Sequence, residues 1–71
     1  MKRLYELVNG EEAEVIDFED NLSKCHSARF GLAVGEIIKC RAKLGPVVIS
    51  KNQQVIAIGQ NLSKKIYVKN V

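Results

Sequence analysis

Short segments of alternating apolar and polar residues dominate this sequence, and glycine, proline or a polar cluster interrupts each of them after a few residues. Alternation with a period of two places every second side chain on one face, which is typical of strands that bury a single face. The longest such segment follows Gly35. It has Ile38, Cys40, Ala42 and Leu44 on one side and Ile37, Lys39, Arg41 and Lys43 on the other.

Four other segments predict strands, and they are Glu12 to Val15, Val47 to Ser50, Val55 to Ile58 and Ile66 to Val68. Gly45-Pro46 predicts a turn, and Lys51 to Gln54 predicts a hairpin connection. About five short strands in 71 residues leave room for one core. We therefore predict one domain over residues 1–71, a mainly β fold built as a small closed or nearly closed β-barrel.

A short helix is predicted after the first strand, and the whole fold is expected to hold one or two such helices. Asp20 or Asn21 is suited to cap a helix over Leu22 to Phe30, and Gly31 follows at a position where left-handed backbone is common. The predicted buried side of this helix consists of Leu22, Cys25 and either Arg29 or Phe30.

Composition excludes several classes of protein. Hydrophobic residues make up 46% of the chain and charged residues 27%, which is typical of a folded domain. The longest apolar run, Val55 to Ile58, is far shorter than a membrane span, so we expect no direct membrane insertion. The first residues lack the apolar segment of a secretory signal, which favours a cytoplasmic protein. With one histidine and no phosphate-binding loop, the sequence does not favour an enzyme.

The net charge of +3 is too small to specify a partner on its own. Lys39, Arg41 and Lys43 form a predicted outward basic stripe, which Glu12 and Glu14 on the first strand are placed to neutralise. The stripe has no stacking aromatics of the kind that RNA-binding surfaces carry, so nucleic acid is not the expected partner. A small basic barrel that binds nucleic acid is the alternative function that this stripe suggests. The stripe itself is either a solvated face or a docking face for an acidic protein surface.

Cys25 and His26, with Cys40, are the only weak candidates for metal ligands of the sulfur and nitrogen type. A structural zinc site needs four ligands, and adjacent helical residues point about 100° apart. We favour two reduced thiols, with Cys40 in the core, and no cofactor beyond weak binding of Fe²⁺ or another transition metal ion. Acidic oxygen donors also occur at Asp17, Glu19 and Asp20, where a solvated turn is the favoured interpretation.

Several spaced motifs together resemble the ferrous iron transport protein A (FeoA) family. The motifs are Leu4-x-x-Leu7-x-x-Gly10-x-x-Ala13-x-Val15, Gly31-Leu32-x-x-Gly35, Gly45-Pro46-Val47-x-Ile49 and Ile56-Ala57-Ile58-Gly59-x-x-Leu62-Ser63-x-x-Ile66-x-Val68. The resemblance implies an SH3-like β-barrel without catalytic activity. It also implies an accessory role in bacterial ferrous iron uptake, acting with a membrane permease that carries a cytosolic GTPase domain. The same module resembles the C-terminal domain of iron- and manganese-dependent repressors, so a metal-sensing role is an alternative.

The sequence differs from the family pattern on the helix and in the turn that follows it. His26-Ser27 stands where Arg-Leu is common, and Ala33-Val34 stands where Thr-Pro is frequent. For partner contact we predict Leu32 and Val34 in this turn, with Lys39 and Arg41 adding charge.

The third and fourth predicted strands are apolar on both sides. Either tight barrel curvature and the helix cover the second face, or that face is a surface for a partner or a homo-oligomer.

Overall fold

A computed structural model describes all 71 residues and places six antiparallel strands in one sheet. The strands are β1 (Lys2–Arg3), β2 (Glu12–Phe18), β3 (Ile37–Lys43), β4 (Val47–Lys51), β5 (Gln54–Ile58) and β6 (Ile66–Asn70). Their order across the sheet is β1-β6-β2-β3-β4-β5, so β1 and β5 form its two edges. The predicted mainly β fold is confirmed, with the two-residue β1 as the additional strand.

Three short helical segments connect the strands. A 3₁₀ turn covers Leu4–Glu6, helix α1 covers Asn21–Ala28 and helix α2 covers Gln60–Ser63. The 3₁₀ turn contacts α2, and the Gln60 amide donates a hydrogen bond of 3.2 Å to the Tyr5 hydroxyl. Neither α1 nor α2 has the length and apolar character that crossing a lipid bilayer requires.

One apolar cluster forms the core, and alternate residues of the strands supply most of it. Its members are Leu4, Leu7, Ala13, Val15, Phe18, Leu32, Ile38, Cys40, Val47, Ile49, Ile58, Ile66 and Val68. The predicted inward positions of β2 and of the first half of β3 are therefore confirmed. The core is filled by its own side chains, and the surface grooves are open. Two of them are lined mostly by polar or charged residues, and the one beside β5 also has Phe30, Val55 and Ile56 in its lining.

A β-bulge at Arg41 reverses the alternation in the second half of β3. Cys40 lies opposite Ile49, but Ala42 lies opposite Val48 and Lys43 opposite the buried Val47. Directly opposed residues share a face, so Lys43 is on the core side of the sheet, and Ala42 is on the outside. The predicted inward Ala42 and outward Lys43 were wrong for this reason. The predicted inward position of Leu44 was also wrong, since this residue lies past the end of the strand and is 76% exposed.

A second bulge, at Ile16 in β2, brings a large apolar side chain into the core, whereas the bulge at Arg41 takes Ala42 out of the core side. Val15 lies opposite Val68 and Asp17 opposite Tyr67, so Ile16 is the inserted residue. The insertion returns Phe18 to the core face, opposite Ile66.

Asp20 caps α1, one of the two predicted choices. Its carboxylate accepts a hydrogen bond of 2.8 Å from the Ser23 backbone N–H, and the Ser23 hydroxyl accepts one from the Asp20 N–H. The hydrogen bond from the Ser23 backbone N–H is the largest cause that lowers the pKa of Asp20, and a hydrogen bond with the Ser23 side chain is the next. Such a carboxylate stabilises the fold at neutral pH, and its contribution is lost as the pH falls through the lowered pKa.

The buried side of α1 was predicted wrongly. Ser23 and Ser27 face the sheet, whereas Leu22 is 62% exposed and Cys25 is also exposed. Small side chains at this spacing let the helix backbone approach β2 closely, and no large residue of the helix enters the core. The helix ends at Ala28, two residues before the predicted end at Phe30.

Leu32 anchors the segment after α1. Its backbone N–H donates to the Ser27 carbonyl at 3.0 Å, and its side chain enters the core at 1% exposure. Gly31 makes this reversal possible with a φ of +76°, in the left-handed region that favours glycine.

We expect Gly31→Ala to lower the free energy of unfolding by about 1–2 kcal/mol, because an L-residue pays a steric cost in left-handed backbone. An added Cβ would also lie 2.9 Å from the Lys51 ammonium, which a flexible side chain can relieve. A second variant, Gly31→Asn, separates the steric cost of the backbone from the contact with Lys51. In chemical denaturation Gly31→Asn should lose less free energy of unfolding than Gly31→Ala, since asparagine tolerates this conformation. Equal or larger loss in Gly31→Asn would assign the effect to Lys51 instead.

We expect Asp20→Asn to flatten the acid limb of the stability curve, because asparagine caps the helix as well as aspartate but does not titrate. Denaturant unfolding at neutral pH should give similar stabilities for the two proteins. Below about pH 4 the wild type should lose more stability than the variant. Glu11 supplies residual pH dependence in both proteins, since its pKa is lowered mainly by the Val8 backbone N–H. Parallel curves would contradict this assignment.

Candidate functional site

The side of β3, β4 and β5 that faces away from the core carries an uncovered apolar surface, which we call the outer face. The register places its residues in rows across the three strands. They are Ile37, Ala42, Val48, Ser50, Val55 and Ala57, and Lys39 lies at the margin of the face, opposite Ser50. No helix packs over them. The alternative that curvature and the helix cover this face is wrong for Val55 and Ala57, which are exposed.

The outer face is most exposed towards β5. Val55 is 70% exposed, Ala57 and Ile37 are exposed, and Val48 and Ala42 are half-buried by their neighbours in the sheet. Ser50 is the polar residue within the face, and it lies between Lys39 and Val55 in its row. Isolated apolar side chains are ordinary on a protein surface, whereas a contiguous apolar group on one face makes that face a candidate contact surface.

Two cations, Lys39 and Arg41, adjoin the outer face without ion-pair partners. Lys39 lies directly opposite Glu12 on β2, as expected, but no carboxylate lies within 4.0 Å of its ammonium. Arg41 is exposed at the bulge and is also unpaired. Glu14 instead forms a 3.9 Å ion pair with Lys69 of β6. Neither cation is therefore neutralised by an ion pair within the chain.

The predicted three-residue basic stripe does not exist as a row. Because the bulge turns Lys43 to the other side of the sheet, its ammonium lies 4.7 Å from the centre of the Tyr5 ring. The Lys64 ammonium lies 4.9 Å from the same ring. Glu6 and Glu19 line the adjacent groove together with basic residues, so that groove is of mixed charge rather than cationic.

Three of the four predicted contact residues lie at the surface. Val34 is 59% exposed in the turn before β3, and Lys39 and Arg41 adjoin the outer face. Leu32 was wrong as an exposed contact, because it is part of the core. Sequence reasoning missed Ile37, although an isoleucine on the same predicted side as three basic residues was a signal for an exposed apolar position.

The sulfur and nitrogen candidates for a metal site do not come together. Cys25 and His26 lie on the exposed side of α1, whereas Cys40 is fully buried with its Sγ 3.9 Å from the Leu7 carbonyl oxygen. Burial raises the pKa of the Cys40 thiol, which keeps it protonated. No group of three His, Cys, Asp or Glu side chains converges anywhere in the protein.

The acidic candidates are each occupied by a different structural task. The Asp17 carboxylate accepts a hydrogen bond of 2.8 Å from the Phe18 N–H, and Glu19 accepts one of 3.3 Å from the Tyr67 hydroxyl. Asp20 caps α1 and also lies 3.9 Å from the Lys65 ammonium. These carboxylates do not form an oxygen cage for iron.

Comparison with protein families gives a match to the FeoA domain over residues 2–70. The chain belongs to the FeoA family. The match covers nearly every residue, including all six strands. A search of curated proteins found no match.

Solved structures agree with this FeoA fold. The crystal structure of the iron uptake regulatory protein FeoA is 24% identical with a TM-score of 0.89, over 97% of this chain and 95% of that chain. FeoA from Chlorobium tepidum is 22% identical with a TM-score of 0.85, over 99% and 70%. IdeR from T. acidophilum is 21% identical with a TM-score of 0.89, and the match covers 99% of this chain but 34% of that repressor. The fold is therefore that of FeoA and of one domain of a metal-dependent repressor.

We expect native protein to react with a thiol reagent at Cys25 only, because the Cys40 thiol is buried and protonated. Mass spectrometry should detect one adduct in buffer and two in denaturant. Cys25→Ser should give none in buffer, as the matched control. Rapid labelling of Cys40 in the folded protein would show that the core opens at this point.

Proposed function

We propose that this FeoA protein is a non-catalytic accessory component of ferrous iron uptake. It acts in the cytoplasm by docking onto the cytosolic GTPase region of the ferrous iron permease. Membership of the FeoA family supports the link to iron uptake, and the outer face is the observation that supports action by contact.

The composition of the outer face suits recognition of a protein. Its centre is aliphatic, while Lys39 and Arg41 lie beside it as unpaired cations, and an apolar centre with a polar margin is the usual anatomy of an interface. Unpaired cations favour a partner with acidic residues around an apolar patch, since opposite potentials speed encounter and set orientation. Val34 extends this surface from the adjoining turn.

The filled core and the scattered reactive side chains are a second observation that supports a contact role. Its core has no enclosed cavity for a substrate, and the candidate nucleophilic, acidic and metal-ligating residues are dispersed among separate elements. Reactions that need several such groups at one point therefore have no support in this chain.

The two alternatives have weaker support. Nucleic-acid binding drew on a basic stripe that the bulge at Arg41 divides between two faces of the sheet. Metal sensing draws on the likeness to repressors such as IdeR, and that likeness concerns the fold alone.

We expect Lys39→Glu to weaken binding to the purified cytosolic region of the permease by about tenfold, because it reverses a charge at the margin of the contact. Val34→Asp should weaken binding by a similar or larger factor, because it places an unpaired charge against an apolar surface. Affinity is measured with the immobilised GTPase region at two salt concentrations, and the loss in Lys39→Glu should be smaller at high salt.

Lys24→Glu is the matched control, since Lys24 is an exposed and unpaired lysine on α1, an element that contributes no residue to the outer face. Its binding should change little. Unchanged binding in both Val34→Asp and Lys39→Glu would remove these residues from the docking surface. No binding by the wild type would reject the proposed function itself.

A further inference from the structure

Strand β5 is an edge of the sheet with one side unpaired. It joins β4 through a two-residue loop in which Asn52 and Gln53 both have positive φ, at 48° and 70°. These values fit a type I′ turn, which fixes the register of a hairpin. Lys51 and Gln54, which flank the loop, lie directly opposite each other.

This hairpin register determines which backbone groups point outward. Residues that flank a two-residue turn form a hydrogen-bonded pair, and such pairs alternate along antiparallel strands. Gln54, Ile56 and Ile58 therefore bond towards β4, and the N–H and C=O groups of Val55 and Ala57 point to the open edge. No backbone hydrogen bond from the turns and loops reaches either residue.

The usual protections of an exposed edge are missing here. Natural edge strands carry lysine, proline or bulges that block pairing with another chain. β5 has none of them, and its register with β4 is regular. The whole segment from Asn52 to Ser63 contains no charged residue, in a chain where charged residues make up 27%.

We propose that β5 pairs with β5 of a second copy, antiparallel and with the two-fold axis at Ile56. Val55 then lies opposite Ala57 of the other copy on both sides of the axis. Each outward N–H of these two residues donates to a carbonyl across the axis, so every free group of the edge is used. Ile56 meets its own equivalent in a pair without backbone hydrogen bonds, where side chains approach most closely.

The surroundings of β5 accommodate this arrangement. An open groove runs between the edge and the end of α1, with Phe30 and Ile56 along it. Because Ile56 shares its face with the buried Ile49, the paired Ile56 side chains enter this groove beside Phe30, which is itself exposed in the single chain. Val55 and Ala57 lie on the opposite side and continue the outer face across the axis.

A second copy fits this edge because the arrangement brings few like charges together. Each chain carries a net charge of +3, so two copies repel except where the contact is neutral. Arg29 is the one charged residue along the groove. Arg29 and Gln54 both line this groove, and the two Gln54 residues of the pair are about 14 Å apart along the strands. That separation exceeds the screening length of about 8 Å at physiological salt.

The dimer does not depend on the permease contact, so it is tested on the isolated 71-residue chain. Hydrogen exchange by NMR is measured at increasing protein concentration. The Ile56 amide, which bonds to β4, should be protected at every concentration. The Val55 and Ala57 amides should exchange quickly when dilute and become protected as the weight-average mass from sedimentation rises towards that of two chains.

Val55→Pro removes one outward N–H from each copy and leaves the bonds to β4 intact, since proline is tolerated where the N–H of an edge strand faces solvent. It should weaken the dimer at least about tenfold, because half of the hydrogen bonds across the axis are lost. Val55→Thr is the matched control, with the same branched shape and its N–H retained. Continued protection of Ile56 in Val55→Pro shows that the strand still forms.

Three results would overturn the proposal. The first is a mass and a Val55 exchange rate that stay constant with concentration. The second is self-association that persists in Val55→Pro, which would place the contact elsewhere. The third is protection of Val55 and Ala57 only when the permease region is added, which would identify a strand of that partner as the occupant.

Discussion

The structure depends on the packing of alternate strand residues into one apolar core that the side chains themselves fill. Thirteen buried hydrophobic residues make this cluster, and they come from every strand except the two-residue β1, from the 3₁₀ turn and the residue after it, and from Leu32. In a domain of this size the surface cannot be covered by further layers, so whatever faces away from the core faces solvent. The exposure of the outer face follows from this constraint, since β4 and β5 are apolar on both sides and the core takes only one of them.

Two inserted residues adjust the alternation to the shape of the core. The bulge at Ile16 recovers a buried position for Phe18. The bulge at Arg41 moves Lys43 to the side of Tyr5 and leaves Lys39 and Arg41 as the cations beside the outer face. A bulge that bends a strand for packing therefore also decides which charges accompany the surface proposed for docking.

Most strands, the cap at Asp20 and the turn at Gly31 could be predicted from the sequence, because alternation, capping side chains and glycine each have a local physical cause. The bulges could not, since an inserted residue looks like any other until its partner strand is known. The buried side of α1 was predicted wrongly for a related reason, since it also depends on the neighbouring strand. Leu22 and Cys25 are the more apolar residues, but the close approach of the helix to β2 favours small side chains at the contact, which are Ser23 and Ser27. Leu32, which follows the helix, supplies the large buried side chain in this part of the chain instead of a residue of α1.

Edge pairing and face docking use perpendicular directions of the same hairpin. Backbone hydrogen bonds of β5 lie in the plane of the sheet, whereas the Val55 and Ala57 side chains project from it. Pairing of two β5 strands therefore leaves the outer face uncovered and joins two copies of it across one axis. A partner that met both copies would bind the second at a high effective concentration, so a weak dimer would strengthen a weak contact without any new side chain in the interface. The absence of charge from Asn52 to Ser63 favours both contacts, because the same neutral segment includes the open edge of β5 and its part of the outer face.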